Sequence, residues 1–297
     1  MDFYRIKLLT PSSKHPPEHR DFCFEKNLFA IGWEVDGNIN TIEDYENAAK
    51  IKYCKGKNLS GNINSSYKNI KNMEIGDYIW TQKDARTYYL GKVDSEILFD
   101  SDYANWLGLT RSCGEWKEIN FNEVPGIVTS YFAGSGQVLV CCNRLNESED
   151  IKKYCEWLYN KTKGKPKISD YKNLLHYDDL EDLLGLFLQY GEYNDKKYYI
   201  HPSTNKLSTK AIEYELRSED GEKIGIQCKI GDSSVDSNTL TEFTQKGYTI
   251  LVATKNDNDC VGENIKKIPI DVLWTFAKKH QEILTDRIKN YISLTND

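Results

Sequence analysis

The sequence predicts an α+β protein built from two domains. Short apolar runs separated by glycine-containing turns fill the first half, a pattern typical of a small β-barrel with peripheral helices. In the second half, a helix, a β-hairpin, a nearly continuous apolar strand and C-terminal helical segments follow one another. This order predicts an α/β domain around a central mixed sheet. A polar, lysine-rich stretch between the halves is the predicted linker.

The composition is that of a globular, water-soluble chain, because 39% of the 297 residues are hydrophobic and 28% are charged. No apolar run is long enough to cross a bilayer, and the N-terminus lacks the layout of a signal peptide. We therefore expect a cytoplasmic protein without membrane contact. The eight cysteines include no Cys-x-x-Cys pair, which argues against a zinc finger and favours reduced thiols. A net charge of −6 is unfavourable for a nucleic-acid-binding protein.

The first half begins with the apolar run 28–33, which ends in Trp33. A helix is predicted over 41–53, because Thr41 and Asp44 supply a helix start. A Gly-Asp turn then leads into a predicted hairpin. The strand-like runs after the helix cover residues 76–82, 88–93, 111–116, 124–128 and 137–142.

This order of elements resembles the PUA-like superfamily, and within it the EVE domain, which is related to YTH and other readers of modified bases. The pieces that carry the resemblance, within residues 1–146, are Ile31-Gly32-Trp33, Gly76-Asp77-Tyr78-Ile79-Trp80, Tyr89-Leu90-Gly91-Lys92-Val93, and Arg111 with Trp116. The resemblance implies that a modified base turns out of its strand into an aromatic-lined pocket. Stacking and hydrogen bonds to the base edge would offset the cost of extrusion.

By position, the resemblance assigns the aromatic wall of this pocket to Trp33, Trp80 and Tyr88. It assigns the phosphate contacts to Lys92 and Arg111. The aromatic residues have a second interpretation, because tryptophan and tyrosine also build the core of small barrels. Trp80 lies inside an alternating strand, which favours the core, whereas Trp33 directly follows an Ile-Gly pair, which favours the pocket.

Residues 147–168 are the predicted helical, basic linker. A helix over 151–160 follows a polar stretch, and Gly164 and Pro166 end it. Seven lysines cluster in and beside this segment, at positions 152, 153, 161, 163, 165, 167 and 172. Such a cluster forms either a solvated helix face or a surface for DNA phosphates, and both interpretations stay open.

The second half, residues 169–297, is organised around a β-hairpin. Its strands are predicted at 211–216 and 224–229, joined by a turn with an Asp-Gly pair. A helix is predicted before the hairpin and a buried strand and two helical segments after it. These elements cover residues 179–188, 247–254, 271–277 and 281–294.

The hairpin brings together side chains suited to phosphate chemistry. Alternation places Gln227 and Lys229 on one face of the second strand, toward Glu213 and Glu215 of the first strand. An acid, an amide oxygen and a lysine that meet at the end of a sheet can bind a divalent cation and stabilise charge on a phosphate. The alternative is an ordinary amphipathic hairpin whose charges are solvated.

The second half resembles the PD-(D/E)xK nuclease superfamily, in the variant where glutamine replaces the second acid. A helix with Glu181, an acid in the first hairpin strand, Gln227-Cys228-Lys229 and a following Gly231 carry the resemblance. It implies a restriction-endonuclease-like α/β fold. The principal metal ligand in this family is the acid of the first hairpin strand. Glu213 is the preferred match and Glu215 remains the alternative.

The resemblance implies a role for each side chain at this site. Glu213 and Gln227, with a backbone carbonyl at Cys228, would hold Mg²⁺ or Mn²⁺, which activates a water and neutralises charge on the scissile phosphate. Lys229 would orient that water and stabilise the transition state. Glu181 would bind a second cation, or contact the first through water.

Together the two resemblances predict a modification-dependent, type IV-like restriction endonuclease that acts on double-stranded DNA with modified bases in anti-phage defence. One such site cuts one strand, so a homodimer on DNA is expected. Two rival hypotheses stay open: a non-catalytic nucleic-acid-binding protein with a degenerate nuclease fold, and a nuclease directed at RNA.

Overall fold

The structure of the protein is a computed structural model that describes residues 2–8, 17–134, 136–142, 149–201, 212–229, 237–254 and 262–295. Residue contacts divide the chain into two compact units. The first unit consists of Met1–Val124 and Tyr131–Asp170, and the second of Pro125–Ser130 and Tyr171–Thr295. The predicted domain boundary at residue 146 and the predicted start of the hairpin at Ala211 lie outside the described residues.

A mixed sheet forms the centre of the first unit. The strands of this unit are β1 (Phe3–Ile6), β2 (Leu28–Ala30), β3 (Tyr78–Gln82), β4 (Tyr88–Lys92), β5 (Thr110–Ser112), β6 (Lys117–Ile119) and β7 (Leu139–Cys141). Five of them form one sheet in the order β6-β4-β3-β1-β7, in which β1 and β3 run parallel and the other pairs antiparallel. Strands β2 and β5 form a separate antiparallel pair. The predicted hairpin of β3 and β4 is confirmed.

The β-barrel predicted for the first half is wrong. The edge strands β6 and β7 do not pair with each other, so the sheet stays open among the described residues. The predicted strand at 124–128 is also wrong, because helix α5 (Gly126–Ala133) begins there. Pro125 explains this start: its carbonyl accepts from the amides of Val128 and Thr129, and proline is compatible with the first turn of a helix.

Helix α5 is divided between the two units, and the helices that lie wholly in the first unit are α1 (Pro17–Glu25), α2 (Ile42–Cys54), α3 (Gly61–Asn72), α4 (Ser101–Trp106) and α6 (Glu149–Asn160). The prediction for α2 is confirmed together with its start. Thr41 Oγ1 accepts from the Asp44 amide at 3.1 Å, and Asp44 Oδ2 accepts from the Thr41 amide at 2.9 Å, which completes a capping box. Helix α6 is the helix predicted in the linker, and it belongs to the first unit.

A five-stranded mixed sheet also forms the centre of the second unit. Its strands are β8 (Tyr198–Ile200), β9 (Glu215–Ser218), β10 (Lys223–Lys229), β11 (Tyr248–Thr254) and β12 (Ile265–Lys267). They lie in the order β12-β11-β10-β9-β8. Strands β10, β11 and β12 run parallel, whereas β8 and β9 are antiparallel to their neighbours. The predicted hairpin is therefore confirmed as β9 and β10, and the apolar run at 247–254 is confirmed as an interior strand.

The helices of the second unit are α7 (Tyr177–Gln189), α8 (Ser237–Thr244), α9 (Ile270–Lys279) and α10 (Asp286–Leu294). Helix α7 packs against β10 and α9, and its buried leucines recur at the spacing of one helix face. The predicted helical segment 281–294 is interrupted. A 3₁₀ turn at Gln281–Ile283 comes first, and the side chain of Thr285 then caps α10.

None of the described helices combines the length and the apolar character that a bilayer crossing requires.

Candidate functional site

Glu213 lies in a local irregularity of the hairpin, just before β9. Its amide donates to the carbonyl of Ile226 at 2.9 Å, and the Ile226 amide donates to the carbonyl of Tyr214 at 3.2 Å. Two residues on one strand therefore oppose one residue on the other, which is the arrangement of a β-bulge. Bulges bend a strand and change the direction of side chains beside active sites. This bulge sets the position of Glu213 relative to β10.

The side chains of Glu213, Gln227 and Lys229 meet at the end of β10. Gln227 Nε2 donates to Glu213 Oε1 at 2.7 Å, and Lys229 Nζ lies 4.0 Å from the same oxygen. Gln227 is 2% exposed, whereas the Lys229 and Glu213 side chains are 34% and 30% exposed. The amide is thus part of the sheet interior, while the lysine and the carboxylate reach solvent, as a site for a large substrate requires.

Helix α7 brings Glu181 toward this group. The Tyr214 hydroxyl donates to the Glu181 carbonyl at 2.6 Å, which ties the helix to the bulge. This contact depends on Gly185, because a Cβ at that position would lie 2.2 Å from the Tyr214 oxygen. Only glycine lets the tyrosine lie against the helix surface at this point.

An ion pair between helices fixes the first turn of α7. Arg287 of α10 donates through Nε to Asp179 Oδ1 at 2.8 Å, and its Nη2 lies 2.9 Å from Asp178 Oδ1. The other Asp179 oxygen accepts from the His176 amide at 2.8 Å. Asp179 is fully buried, and a buried carboxylate needs such partners. Glu181 therefore lies on a rigid helix start.

Glu181 and Glu213 interact electrostatically. Burial, and next the charge of Glu213, raise the pKa of Glu181 to about 7, while Lys229 acts in the opposite direction. Two carboxylates that repel each other in a partly desolvated position favour a cation between or beside them. The arrangement of Glu181, Glu213 and Lys229 is electrostatically suited to cation and phosphate chemistry.

The Glu213 carboxylate and the Cys228 carbonyl are oxygen groups that could bind a hard divalent cation, whereas Gln227 directs its amide nitrogen toward both of them. The amide nitrogen of Gln227 lies 2.7 Å from Glu213 Oε1 and 3.4 Å from the Cys228 carbonyl oxygen, so both oxygens converge on one polar hydrogen donor. A magnesium ion takes oxygen ligands of this kind. Burial raises the pKa of the Cys228 thiol far above its usual range, so its carbonyl is the only candidate ligand of that residue. Within the described ranges, no three His, Cys, Asp or Glu side chains form a metal-binding group.

Glu215, the alternative metal ligand, has a different environment. It is 5% exposed and accepts hydrogen bonds from Tyr248 Oη and Arg217 Nε, each at 2.5 Å. Its partner across the hairpin is Gly225, toward the opposite end of β10 from Lys229. The structure therefore groups Glu213, and not Glu215, with Gln227 and Lys229.

Two of the aromatic residues predicted to line the base pocket are buried in the first unit. Trp80 is fully buried and its Nε1 donates to Cys155 Sγ at 3.3 Å, so the core interpretation is correct for this residue. Tyr88 is 3% exposed and packs against Phe132, with ring centroids 5.5 Å apart. Neither ring can stack on a base without opening the core, so both pocket assignments are wrong.

The prediction that Arg111 contacts phosphate is wrong for a similar reason. Arg111 is 1% exposed, and its guanidinium donates to the carbonyls of Ser95, Ile70 and Met73. All of these acceptors are backbone carbonyls. The buried guanidinium thus links the end of α3 to the loop that contains Ser95. Its hydrogen-bonding capacity is used inside the unit.

Trp33 and Lys92 are the two predicted reader residues that retain some exposure. The Trp33 ring packs edge-on against Tyr53, with centroids 5.3 Å apart, and Lys92 Nζ lies 5.8 Å from the centre of the Tyr78 ring. Both contacts are within the first unit. Their predicted roles in base and phosphate contact stay predictions.

Part of the predicted basic cluster is already paired with acids. Lys152 Nζ lies 3.1 Å from Asp2, and Lys161 Nζ lies 3.0 Å from Glu123. Within the second unit, Lys172 Nζ lies 3.2 Å from Asp271. These pairs favour the interpretation of a solvated, ion-paired surface for the three lysines.

Sequence reasoning missed an aromatic pocket in the first unit. Phe24, Tyr89 and Trp116 contribute to its lining, and its volume is about 310 Å³. The signal was present for Tyr89, which alternates with the buried residues Tyr88 and Leu90 and therefore faces outward. The contribution of Phe24 from α1 and Trp116 before β6 depends on tertiary structure.

The comparisons with known proteins concern the first unit. A family model described as "Domain of unknown function (DUF8426)" matches residues 8–113, which is less than half of the chain. No curated protein and no solved structure matches the chain. The side chains grouped at the end of β10 lie outside the matched residues.

Proposed function

We propose that the protein is a modification-dependent, type IV-like restriction endonuclease in anti-phage defence, with a PD-(D/E)xK-like second unit that hydrolyses DNA. The observation that carries the proposal is the meeting of Glu213, Gln227 and Lys229 at one end of the hairpin. Glu181 on α7 adds a second acid whose pKa responds to Glu213 and Lys229. A solvated amphipathic hairpin has no need for a bulge and a helix glycine that bring these side chains together.

The proposed reaction is hydrolysis of a phosphodiester bond. A water attacks phosphorus, one P–O ester bond breaks, and a phosphate monoester and a free hydroxyl are formed. Glu213, Gln227 and the Cys228 carbonyl would hold Mg²⁺ or Mn²⁺, which when bound acidifies water and offsets phosphate charge. Lys229 donates hydrogen bonds to the phosphate oxygens, where negative charge increases in the transition state.

The first unit has the proposed role of recognising a modified base in double-stranded DNA. Support comes from the EVE-like order of segments, which includes the β3–β4 hairpin, and from the presence of an aromatic pocket in this unit. Because the sheet is open, the proposal no longer includes a β-barrel. Because Arg111 is buried, it no longer includes a phosphate contact by this residue.

The test is digestion of matched plasmids that carry cytosine, 5-methylcytosine, 5-hydroxymethylcytosine or its glucosylated form, with Mg²⁺ present. We expect the wild-type protein to cut at least one modified plasmid and to spare the unmodified one. Glu213→Gln should abolish cleavage, because it removes the charged ligand. Glu215→Gln is the matched control on the same strand and should retain cleavage wherever the protein remains folded.

Each of the other possible outcomes would support a different function. Equal cutting of all plasmids would remove base recognition and leave a plain nuclease. Tight DNA binding without any cleavage in Mg²⁺ or Mn²⁺ would identify a non-catalytic binding protein. Faster cleavage of modified RNA than of modified DNA, measured in parallel, would identify an RNA-directed enzyme.

A further inference from the structure

We propose that a lysine segment of the first unit, residues 161–167, binds the phosphate backbone of double-stranded DNA whatever its base sequence. Three side chains make the contacts: Lys163, Lys165 and Lys167. The inference rests on the proposed function in that it takes the bound nucleic acid to be DNA. The segment shares no residue with the group at the end of β10 or with the lining of the aromatic pocket.

The lysine segment has a local charge opposite to that of the whole chain. The chain carries a net charge of −6, but residues 157–169 contain four lysines and neither aspartate nor glutamate. The four lysines, of which Lys161 is the first, are exposed, and threonine, glycine and proline separate them. Because no acid within the segment offsets these charges, the segment complements a row of phosphates.

The start of the segment is fixed to the end of α6. Lys161 ends the helix in a left-handed conformation with φ 46°, and its amide donates to the Trp157 carbonyl at 2.7 Å. Trp157 Nε1 donates to the Thr162 carbonyl at 3.1 Å. From β6, Lys117 Nζ donates to the Tyr159 carbonyl at 2.7 Å, which satisfies another acceptor of the helix end.

The end of the segment is fixed as well. Ile168 is fully buried, and Asp150 Oδ2 of α6 accepts from the Ser169 amide at 2.6 Å. Between the two ends the chain turns at Gly164, whose φ of 88° favours glycine. A loop that is held at both ends loses less conformational entropy on binding than a free tail does. The lysines are therefore positioned before a ligand arrives.

An aromatic ring lies beside two of the ammonium groups. Lys161 Nζ lies 4.6 Å from the centre of the half-buried Trp157 ring, and Lys165 Nζ lies 5.9 Å from it. The Trp157 ring stacks on the Tyr154 ring, with centroids 5.7 Å apart and planes inclined by 9°. A cation–π contact restricts a lysine side chain and still leaves ammonium N–H groups for phosphate oxygens.

The attraction of lysines to a helix C-terminus explains only part of this pattern. The helix dipole favours cations near the last turn, and its effect falls off within that turn. It accounts for Lys117 and Lys161, and Lys161 is also paired with Glu123 at 3.0 Å, so we assign neither lysine a DNA contact. The other three lysines lie three, five and seven residues beyond the end of α6, outside the reach of the dipole.

An anionic membrane surface is the other partner that a row of lysines can bind. Polybasic segments hold a protein on a bilayer when an apolar anchor or an amphipathic helix accompanies them. The lysine segment has only threonine, glycine and proline between its lysines, and so it has no large apolar side chain to insert. Duplex DNA is therefore the partner that the segment fits better.

The experiment measures DNA binding by the full chain in EDTA, so that no hydrolysis interferes. Affinities for a duplex with 5-methylcytosine and for the same duplex with cytosine are measured over a series of KCl concentrations. The test variant is Lys163→Gln/Lys165→Gln/Lys167→Gln. We expect the slope of log K against log[KCl] to become shallower by about 2–3, because each phosphate contact contributes about 0.9. Both duplexes should lose affinity by the same factor, because phosphate contacts carry no information about the bases.

Two triple variants serve as controls. Lys57→Gln/Lys68→Gln/Lys71→Gln removes the same charge from exposed lysines elsewhere in the first unit and should keep the wild-type slope. Arginine in place of lysine at the three test positions retains the charge and should also keep this slope. Circular dichroism checks that each variant is folded. If the glutamine variant of the segment is unfolded, Lys163→Gln replaces it, with an expected change in slope of about 1.

Four results would overturn the inference. The first two are an unchanged slope for the folded glutamine variant of the segment and an equally large change for the glutamine control variant. The third is a loss of affinity for the methylated duplex only, which would give the segment a role in base recognition. The fourth is tighter binding of the wild-type protein to phosphatidylserine vesicles than to either duplex, which would identify a membrane-binding surface.

Failure of the proposed hydrolysis is distinguishable from failure of this inference. A protein whose binding slope changes as expected in EDTA, but which does not cut DNA in Mg²⁺, retains the DNA contact of the lysine segment and loses the nuclease. A protein that cuts modified plasmid, and whose glutamine variant binds DNA with the wild-type slope, retains the nuclease and loses only the contact of the lysine segment.

Discussion

Glu213 and Glu215 are two positions apart in the chain but have different partners. Glu213 meets Gln227 and Lys229 at the end of β10, whereas Glu215 is almost enclosed and accepts from Tyr248 and Arg217. Burial alone would raise the pKa of Glu215, but these hydrogen bonds outweigh it and hold the pKa below its usual range. The charged form of Glu215 is thus stabilised by folding, as expected of a structural residue.

The pH dependence of stability tests this role of Glu215. Its pKa is lower in the folded state, so its contribution is complete above the unfolded pKa near 4.5 and is lost as the pH falls through the folded value. Glu215→Gln should therefore lower the free energy of unfolding by about 1–3 kcal/mol at pH 7, the range for a hydrogen-bonded buried charge. At a pH below both pKa values the difference should be much smaller. Urea unfolding curves at the two pH values measure it, and an equal loss at both would contradict this role.

At the scale of elements, the site depends on how α7 joins the hairpin. Tyr214 belongs to the bulge and its hydroxyl reaches the carbonyl of Glu181, which is possible because Gly185 leaves the helix surface open. The ion pair of Arg287 with Asp179 fixes the start of the same helix. The positions of Glu181 and Glu213 are therefore coupled through Tyr214.

Gly185→Ala tests this coupling. The added methyl group would overlap the Tyr214 hydroxyl, so we expect a loss of about 1–3 kcal/mol in stability, typical of an overpacked interior, together with reduced cleavage. In the Gly185→Ala background, Tyr214→Phe removes the overlapping oxygen and should restore part of the stability. Thermal unfolding of the two single variants and the double variant gives the coupling energy.

Gly136→Ala is the control, because a Cβ at this exposed position has no neighbour within 4 Å. Additive effects of Gly185→Ala and Tyr214→Phe would show that the tyrosine does not position the helix.

At the scale of the molecule, local patterns predicted the second unit better than the first. The Asp-Gly turn and the alternation of apolar and polar residues were sufficient to predict the β9–β10 hairpin. The apolar run was sufficient to predict β11. The bulge at Glu213 was not predictable, because it forms together with the contact between Tyr214 and Glu181 of α7, which are 33 residues apart in the sequence. Gly185 leaves the space for that contact. Long-range contacts of this kind leave no local periodicity.

The first unit shows the same limit more strongly. From the sequence we expected Arg111 to be a surface cation, but its guanidinium donates hydrogen bonds to the carbonyls of Ile70, Met73 and Ser95. Helix α3 was missed because its sequence is largely polar. The barrel was predicted from the number of short strands, whereas closure depends on whether β6 and β7 meet.

The number of protein copies on DNA is also a whole-molecule prediction. One hydrolytic site cuts one strand, so we expect nicked plasmid at low protein concentration and linear plasmid when two copies assemble on DNA. Gel analysis of the products over a concentration series, with sedimentation of the protein–DNA complex, measures this. Linear product formed at the lowest concentrations by a complex that contains one copy would contradict it.

Hydrolysis of DNA by the group at the end of β10 is tested most directly at Lys229. The measurement is the rate of cleavage of modified plasmid in Mg²⁺ by Lys229→Ala, with Lys223→Ala as the control. Lys223 lies on the same strand and its Nζ packs over the Tyr248 ring at 5.4 Å. We expect Lys229→Ala to lower the rate by about 100-fold or more, as loss of a transition-state donor does, while DNA binding is retained and Lys223→Ala stays near the wild-type rate. Cleavage by Lys229→Ala at the wild-type rate would contradict the account.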